Sequence, residues 1–205
     1  MTTPRFPPGA YARQDERPDA AFYAEPRLVT HIDDQAIAAL TDAYRTLLPA
    51  RGTALDLMSS WVSHYPPEMD FAEVIGHGMN AEELDANPRF SRWFVQDLNQ
   101  DPMLPLETDT LAAATICVSI QYLQRPVEVL TDLRRCLTPG APLVIGFSNR
   151  CFPTKAVAVW MNLHPQDHAR LVSLYLEDAG FTGVEVQRLR DGRDGDPMTL
   201  VVGRA

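Results

Sequence analysis

Residues 53–61 place the strongest constraint on what this chain can fold into. A short apolar run carries Asp56 near its end and is followed by the small polar residues Ser59 and Ser60. This order is typical of a buried parallel strand whose carboxyl end opens into a ligand crevice. From there to the end, strand-like and helix-like segments alternate. The alternation predicts an α/β protein in which helices cover both faces of a mainly parallel sheet.

Hydrophobic periodicity and turn residues predict the individual elements. Seven segments are predicted as strands, namely residues 53–58, 73–77, 96–98, 110–119, 143–147, 181–189 and 198–203. Helices are predicted over residues 33–48, 81–86, 126–137, 155–161 and 165–179, with short helical turns at 61–65 and 89–93. A short glycine-containing turn joins the last two strands, so we expect an antiparallel hairpin at one edge of the sheet.

The first 32 residues form a separate, proline-rich arm ahead of the α/β domain of residues 33–205. Prolines at five positions before residue 27 prevent a continuous helix. Phe22 and Tyr23 interrupt an otherwise polar segment. Two interpretations stay open, in which the aromatic pair anchors the arm to the body or the arm is a lid over the crevice.

The composition of the chain limits which classes of molecule we expect it to bind. The formal charge of −9 and the lack of a dense basic run argue against a nucleic-acid partner. The longest apolar-rich run, residues 111–120, is too short to span a bilayer, and the N-terminus has no signal-peptide pattern. Cys117, Cys136 and Cys151 have neither metal-ligand nor disulfide spacing. We therefore expect a cytoplasmic protein with a small-molecule substrate and no metal, while its oligomeric state stays open.

Two motifs identify a similar family. Leu137-Thr138-Pro139-Gly140 precedes the predicted fifth strand, and Asp178-Ala179-Gly180-Phe181 precedes the sixth. Together with the final hairpin they resemble class I S-adenosylmethionine (SAM) dependent methyltransferases of the type 11-like group. The resemblance covers residues 33–205. It implies a Rossmann-like three-layer sandwich with a seven-stranded, mostly parallel sheet and an antiparallel C-terminal strand.

The chain departs from the family pattern at two places. Where the family has glycines after strand one, this chain has Met58, Ser60 and Val62. Glycines there let the backbone approach a ligand closely. Strand two of the family ends in an acid, and Gly78 stands at that position. The glycine motif is thus degenerate.

The resemblance implies roles for individual residues. Those expected to bind SAM are Asp56, Met58, Ser59, Ser60, Gly76, Asn80, Asp97, Leu98 and Val118. Asp97 matches the acid that contacts the adenine amine. His64 and Tyr122 are the expected catalytic residues, because a histidine at the carboxyl edge of the sheet can act as a general base near neutral pH. Residues expected at the acceptor are Tyr65, Gln121, Asn149 and Arg150.

The predicted function is SAM-dependent methyl transfer to a small molecule. The alternative is a non-catalytic relative that keeps the fold as a binding or interaction module, which the degenerate motif favours. A nucleotide-dependent oxidoreductase is disfavoured, because no G-x-G-x-x-G motif follows a strand.

Overall fold

A single seven-stranded sheet organises the chain. The computed structural model describes residues 6–205. The strands are β1 (Thr53–Leu57), β2 (Glu73–Gly78), β3 (Arg92–Val95), β4 (Ala113–Cys117), β5 (Pro142–Phe147), β6 (Thr182–Arg190) and β7 (Met198–Arg204). Their order across the sheet is β3-β2-β1-β4-β5-β7-β6. The chain leaves β1 towards one edge and returns at β4 on its other side, so the topological switch point lies between β1 and β4.

The C-terminal hairpin is antiparallel, as the sequence predicts. Strands β1 to β5 pair in parallel, whereas β7 runs antiparallel to both β5 and β6. The architecture is therefore the predicted Rossmann-like arrangement of a mostly parallel sheet with antiparallel C-terminal strands.

Helices cover both faces of the sheet. They are α1 (Asp19–Phe22), α2 (Asp34–Leu47), α3 (Ala81–Asp85), α4 (Pro126–Cys136), α5 (Ala158–Asn162) and α6 (His168–Asp178). The apolar side of α2 packs in one buried cluster, and those of α4 and α6 pack in the other. Strands β1, β4 and β5 lie between these layers and are buried almost throughout, which explains their continuous apolar sequences.

Helix α2 shows how local sequence fixes one of these layers. The Asp33 carboxylate accepts a hydrogen bond of 2.8 Å from the Ala36 backbone N–H and so caps the first turn. Leu40 and Tyr44, four residues apart, bury the same face of the helix. The hydrophobic spacing that predicts this helix thus also predicts its buried side.

The connection from β1 to β2 contains no helix, so the predicted helical turn at 61–65 is wrong. The hydroxyls of Ser59 and Ser63 donate to Asp56 and hold the connection in an irregular path. Tyr65 and Phe71 then pack beside α2, with ring centroids 5.2 Å apart. Side chains of an irregular loop fill this part of the layer.

The third strand lies earlier than predicted. Residues 92–95 pair with β2, so the predicted helical turn at 89–93 and the predicted strand at 96–98 are both wrong. Asp97 and the residues after it form a tight turn, in which the Gln100 and Asp101 amides donate to the Asp97 carbonyl. Asp97 and Asn99 are of residue types that are common in turns, so the local sequence favours a turn over a strand.

Two other elements are shorter than predicted. The fourth strand spans only Ala113–Cys117, and the helix predicted at 155–161 is α5, Ala158–Asn162. Val118 ends the strand because its backbone φ is +45°, which breaks the extended conformation. Among residues 6–205, every helix is too short or too polar to cross a membrane.

Candidate functional site

A cavity of about 590 Å³ opens at the carboxyl ends of β1 and β4. Loops after β1 to β6 form most of its wall, and the N-terminal arm and Tyr44 of α2 contribute the rest. Ligand pockets usually measure about 300–1,000 Å³ and occur at such switch points. Position and size both make this cavity the candidate functional site.

Asp56 holds the loop that replaces the glycine turn. Its carboxylate lies at the end of β1, is buried, and accepts hydrogen bonds from Ser59 at 2.7 Å, Ser63 at 2.6 Å and Thr115 at 3.0 Å. Burial raises the pKa of Asp56, and the three hydroxyls partly offset that rise. The carboxylate therefore anchors the loop after β1 and also lines the cavity.

His77 supports the same loop from strand β2. The imidazole is 1 % exposed; Nδ1 accepts from the Met58 backbone N–H at 3.0 Å, and Nε2 lies 3.0 Å from the Gln96 carbonyl oxygen. A ring that accepts at Nδ1 and donates at Nε2 is neutral. Burial lowers the pKa of His77 to about 4, in agreement with that state. His77 thereby joins the loops after β1 and β3.

The backbone is strained on both sides of the switch point. Met58 has φ +57° and Val118 has φ +45°, and left-handed conformations are uncommon for side chains of these types. His77 holds the Met58 amide, while the Gln121 side-chain amide donates to the Val118 carbonyl at 2.9 Å. Such strain clusters at functional sites and persists where surrounding contacts enforce it. Both strained residues, Met58 and Val118, line the cavity.

Gly78 explains why strand two lacks its terminal acid. A Cβ atom at this position would lie 2.6 Å from the Ser59 carbonyl oxygen, a contact that real Cβ atoms essentially never make. The Ser59 amide also donates to the His77 carbonyl at 2.7 Å, so the loop after β1 rests directly on the end of β2. Any side chain at residue 78 would displace that loop.

Asn80 and Glu83 provide polar groups next to this position. Asn80 caps α3 by accepting the Glu83 amide N–H at 3.1 Å. The Glu83 carboxylate accepts from the Ser60 hydroxyl at 2.6 Å and from the Arg27 backbone N–H at 2.7 Å. Both residues line the cavity. The Glu83 carboxylate thus lies beside the carboxyl end of β2, although β2 does not end in an acid.

A buried ion cluster fixes the N-terminal arm in the cavity wall. Both oxygens of Asp19 accept from Arg13 at 2.8 Å; Lys155 lies 2.9 Å from Asp19, and Asn99 donates to it at 2.9 Å. Lys155, whose side chain is 0 % exposed, also donates to the Arg17 carbonyl at 2.7 Å. Hydrogen bonds from Arg13, Asn99 and Lys155 outweigh burial, which acts in the opposite sense, and hold the pKa of Asp19 below its ordinary value.

Backbone contacts continue this attachment along the arm. The amides of Ala158 and Val159 donate to the carbonyls of Ala12 and Ala10 at 2.8 and 2.7 Å. The Asp15 amide donates to a carbonyl of the loop after β5. The arm from residue 10 onward is therefore part of the folded body. The residues before residue 6 lie outside the described part of the chain.

An aromatic cluster lies between the arm and the loop after β5 and forms part of the cavity wall. It consists of Phe22, Tyr23, His31, Tyr122 and Phe152. The ring of Phe152 lies at its centre, 5.4 Å from Phe22 and 5.9 Å from Tyr122 between centroids. Phe22 and Tyr23 therefore anchor the arm, and Tyr23 also lines the cavity.

Two buried hydroxyls in the cavity wall have no hydrogen-bond partner within residues 6–205. They belong to Tyr44, 1 % exposed, and Ser119, 8 % exposed. Near Tyr44, Thr115 already donates to Asp56 and accepts from Tyr65. An unsatisfied buried polar group costs about 1–3 kcal/mol. The Ser119 hydroxyl is therefore available to a polar ligand, and that of Tyr44, which lies beside the Thr115 hydroxyl, can exchange this contact for one with a ligand.

The two expected catalytic residues, His64 and Tyr122, both line the cavity. Burial lowers the pKa of His64 to about 4, so its imidazole is neutral at pH 7. Within the described chain no hydrogen bond engages the His64 ring. Burial raises the pKa of Tyr122 to about 12, and its oxygen accepts the Phe152 amide N–H at 2.8 Å. His64 is therefore neutral but, with a pKa of about 4, a weaker base than an ordinary histidine, whereas Tyr122 keeps its proton.

We expect acid to destabilise the fold between about pH 6.5 and 4. The pKa values of His64 and His77 are both about 4 when folded and 6.5 ordinarily, so the unfolded chain binds protons first. This stability is present above pH 6.5 and is lost as the pH falls through 4. For His77, the difference of 6.5 minus 4 corresponds to about 3 kcal/mol.

Urea unfolding at about pH 7, 5.5 and 4.5 measures this acid effect. A free energy of unfolding that stays constant across that range would show that the two histidines are not held neutral by burial.

The structure brings together most of the residues proposed for the site. Those that line the cavity are Asp56, Met58, Ser59, Ser60, His64, Asn80, Asp97, Leu98, Val118, Tyr122 and Arg150. Asp97 is half-buried, and one of its carboxylate oxygens accepts the Asn99 amide N–H at 3.0 Å. Arg150 is already paired with Asp196 at 2.8 Å, and its side chain is 61 % exposed.

Four proposed site residues lie outside the cavity wall. A Cβ at Gly76 would lie 2.2 Å from the ring of Phe90, so this glycine makes room for a core side chain instead of a ligand. Tyr65 is buried with its hydroxyl 2.7 Å from Thr115. The Gln121 amide braces a strained carbonyl, and Asn149 is exposed on the loop after β5.

Sequence reasoning missed several residues of the wall. His77 looked like one histidine on an apolar strand, and its partners are distant in sequence. Tyr44 reads as a core residue of α2. Arg27 and Phe152 come together only through the docked arm, although Phe152 lies in a loop after a strand, where functional residues concentrate.

Among the described residues, no group of three or more histidine, cysteine or acidic side chains is arranged to hold a metal ion. The cavity wall is instead rich in carboxylates and aromatic rings, with two guanidinium groups, those of Arg27 and Arg150. It suits an organic ligand that carries polar groups.

The strand order and the cavity at the switch point define the Rossmann-like fold of SAM-dependent methyltransferases. Many solved structures of such enzymes match this chain. One from Archaeoglobus fulgidus, a SAM-dependent methyltransferase, is 13 % identical with a TM-score of 0.62 over 84 % of this chain and 95 % of its own. Searches against protein-family models and curated proteins give no match.

Two further structures show the range of similar proteins. Phosphoethanolamine N-methyltransferase 2 of Haemonchus contortus, in complex with SAM, is 12 % identical with a TM-score of 0.58 over 83 % of this chain and 52 % of its own. A chain of the Haloferax volcanii complex between the Trm112 methyltransferase activator and a proposed methyltransferase is 15 % identical, with a TM-score of 0.61 over 83 % of this chain and 88 % of its own. At these identities the similarity establishes the fold.

Proposed function

We propose that this protein is a methyltransferase that uses SAM to methylate a small molecule. The observation that carries the proposal is the position of the 590 Å³ cavity, at the switch point between β1 and β4 of a methyltransferase fold. Structures with this fold include one crystallised with SAM. The arm contributes Asp19, Tyr23 and Arg27 to the cavity wall, which supports a small-molecule acceptor.

The residues of the wall fit this cofactor. Asp97 after β3 would accept from the adenine amine, with Leu98 and Val118 against the ring. Glu83 or Asn80 would meet the ribose hydroxyls in place of the missing strand-two acid. The hydroxyls of Tyr44 and Ser119 offer hydrogen bonds that a purely apolar ligand would leave unmade.

When bound, SAM supplies an electrophilic methyl group. This chain then contributes position, exclusion of water and one proton acceptor. The aromatic cluster and the arm form part of the cavity wall. His64, neutral at pH 7 and without a hydrogen bond to its ring among residues 6–205, would accept the proton of an acceptor that must lose one, as a weak base because burial lowers its pKa to about 4. Tyr122, still protonated, donates a hydrogen bond to the acceptor.

Replacement of Asp97 by alanine is expected to weaken SAM binding about tenfold to hundredfold. A hydrogen bond to a charged group contributes about 1.5–3 kcal/mol, and each 1.4 kcal/mol is a factor of ten. Isothermal titration with SAM measures both proteins. Asp101→Ala, in the same turn but outside the cavity wall, is the matched control and should bind like the parent.

Failure of the parent to bind SAM would favour the alternative, a methyltransferase-fold protein that serves as a binding or interaction module. Two observations support that alternative: Met58 stands in place of a glycine, and the loop after β1 rests on Gly78. Equal SAM affinity in the parent and in Asp97→Ala would instead show that the adenine does not bind beside the loop after β3.

A further inference from the structure

We propose that Arg27 of the N-terminal arm is an anion clamp, which binds a carboxylate or phosphate group of the ligand in the cavity. Arg27 lines the cavity but contacts neither the sheet nor a carboxylate side chain through its guanidinium. The inference rests on the proposed function only in taking this cavity as the ligand site.

Three rings and a carbonyl hold the guanidinium in place. Its central carbon lies 4.8 Å from the ring centroid of Phe22, 5.8 Å from that of Tyr23 and 5.4 Å from that of Phe152. One nitrogen, Nη2, donates to the Phe22 carbonyl at 2.9 Å, and Nη1 makes a long contact of 3.4 Å with the Glu25 carbonyl. The group is thus oriented before any ligand arrives, which lowers the entropic cost of binding.

Most of its hydrogen-bonding capacity remains. A guanidinium carries five N–H donors in a planar fork that matches a carboxylate or phosphate. Within residues 6–205 no carboxylate lies within 4.0 Å of the Arg27 guanidinium. The neighbouring Glu83 accepts the backbone N–H of Arg27 and the Ser60 hydroxyl instead. In a protein with a formal charge of −9, a guanidinium that lines a cavity without an acidic partner is available to an anion from outside.

Arg150 carries the second guanidinium in the cavity wall, and its surroundings differ from those of Arg27. Arg150 is paired with Asp196 at 2.8 Å and is largely exposed. Its charge is compensated within the chain, so an anionic ligand would have to compete with Asp196. Arg27 needs no such exchange. Of the two guanidinium groups in the cavity wall, that of Arg27 is therefore the better partner for an anionic ligand.

Two ligands can supply the anion: the carboxylate of the cofactor, or an acidic group on the methyl acceptor. Three probes separate these sources. S-adenosylhomocysteine carries the carboxylate, 5′-methylthioadenosine lacks the whole amino-acid part, and inorganic phosphate represents the acceptor's anion. Each is titrated by calorimetry into the parent, Arg27→Gln and Arg170→Gln.

Arg27→Gln keeps a planar amide that can stack on the rings and donate to the Phe22 carbonyl, so the arm should stay docked. Arg170→Gln, at an exposed position on α6 outside the cavity wall, is the matched control for loss of one positive charge. Amide hydrogen exchange at Ala158 and Val159, which donate to the arm's carbonyls, checks that the arm of each variant is in place.

If the clamp holds the cofactor, Arg27→Gln should weaken S-adenosylhomocysteine binding about tenfold or more and leave methylthioadenosine binding unchanged. If it holds the acceptor, both nucleosides should bind normally while phosphate binding falls about tenfold or more. Unchanged binding of all three probes in Arg27→Gln, or equal losses in Arg170→Gln, would overturn the proposal. A parent that binds phosphate but not S-adenosylhomocysteine would refute the proposed function and still test the clamp.

Discussion

Replacement of Asp19 by asparagine is expected to release the N-terminal arm from the cavity wall. The carboxylate compensates Arg13 and Lys155 at once, and both of these side chains are at least 95 % buried. Removal of one partner from a buried ion pair costs about 3–5 kcal/mol. Glu16, 3.8 Å from Arg13, and Asp15, 3.9 Å from Lys155, offset only part of that cost. We expect this free-energy cost to weaken the docking of the arm, because Asp19, Arg13 and the Arg17 carbonyl all belong to the arm.

Hydrogen exchange provides the measurement for Asp19→Asn. The amides of Asp15, Ala158 and Val159 donate across the junction between the arm and the body, so their protection reports docking. We expect these amides to exchange about 100-fold faster or more, with the amides of β4 and β5 unchanged.

Asp42→Asn is the control for Asp19→Asn. Asp42 pairs with Arg45 on the surface of α2, where 76 % of its side chain is exposed. Exposed pairs contribute about 0–1 kcal/mol, so this variant should match the parent. Parent-like protection of the three junction amides in Asp19→Asn would mean that the aromatic contacts alone dock the arm.

Replacement of His77 by leucine is expected to lower the free energy of unfolding by about 2–6 kcal/mol. Leucine fills most of the space but leaves the Met58 N–H and the Gln96 carbonyl without their partner. Each buried group left unsatisfied costs about 1–3 kcal/mol. The left-handed conformation of Met58 would also lose the contact that supports it.

Urea unfolding at pH 7 compares His77→Leu with the parent. His164→Leu, at an exposed position, is the matched control and should change the stability little. Ligand binding should fall together with stability in His77→Leu, because Met58 and Gln96 both line the cavity. Full stability in His77→Leu would show that the loop after β1 holds its shape without the imidazole.

Much of this fold is predictable because its signals are local. The continuous apolar segments of β4 and β5 and the alternation of β6 identify strands, and the short polar turn before Met198 identifies a hairpin. The Asp33 cap and the periodic apolar positions after it identify α2. The third strand was misplaced because Arg92–Val95 is an edge strand with mixed polarity, whose pairing depends on β2.

The site was only partly predictable because its contacts are not local. The carboxyl ends of parallel strands meet at one edge of the sheet, so Asp56, Asp97 and Val118 line one cavity. The pairing of Asp19 with Lys155 and the stacking of Arg27 on Phe152 depend on where the arm docks. No spacing in the sequence indicates either contact.

A crystal structure with S-adenosylhomocysteine tests the central claim most directly. We predict that the ligand occupies the cavity between β1 and β4, with adenine beside Asp97 and Leu98 and a polar group within hydrogen-bond distance of the Tyr44 or Ser119 hydroxyl. The arm should retain its contact with Phe152. A ligand bound outside this cavity, or an empty cavity in crystals grown at saturating ligand, would contradict the account.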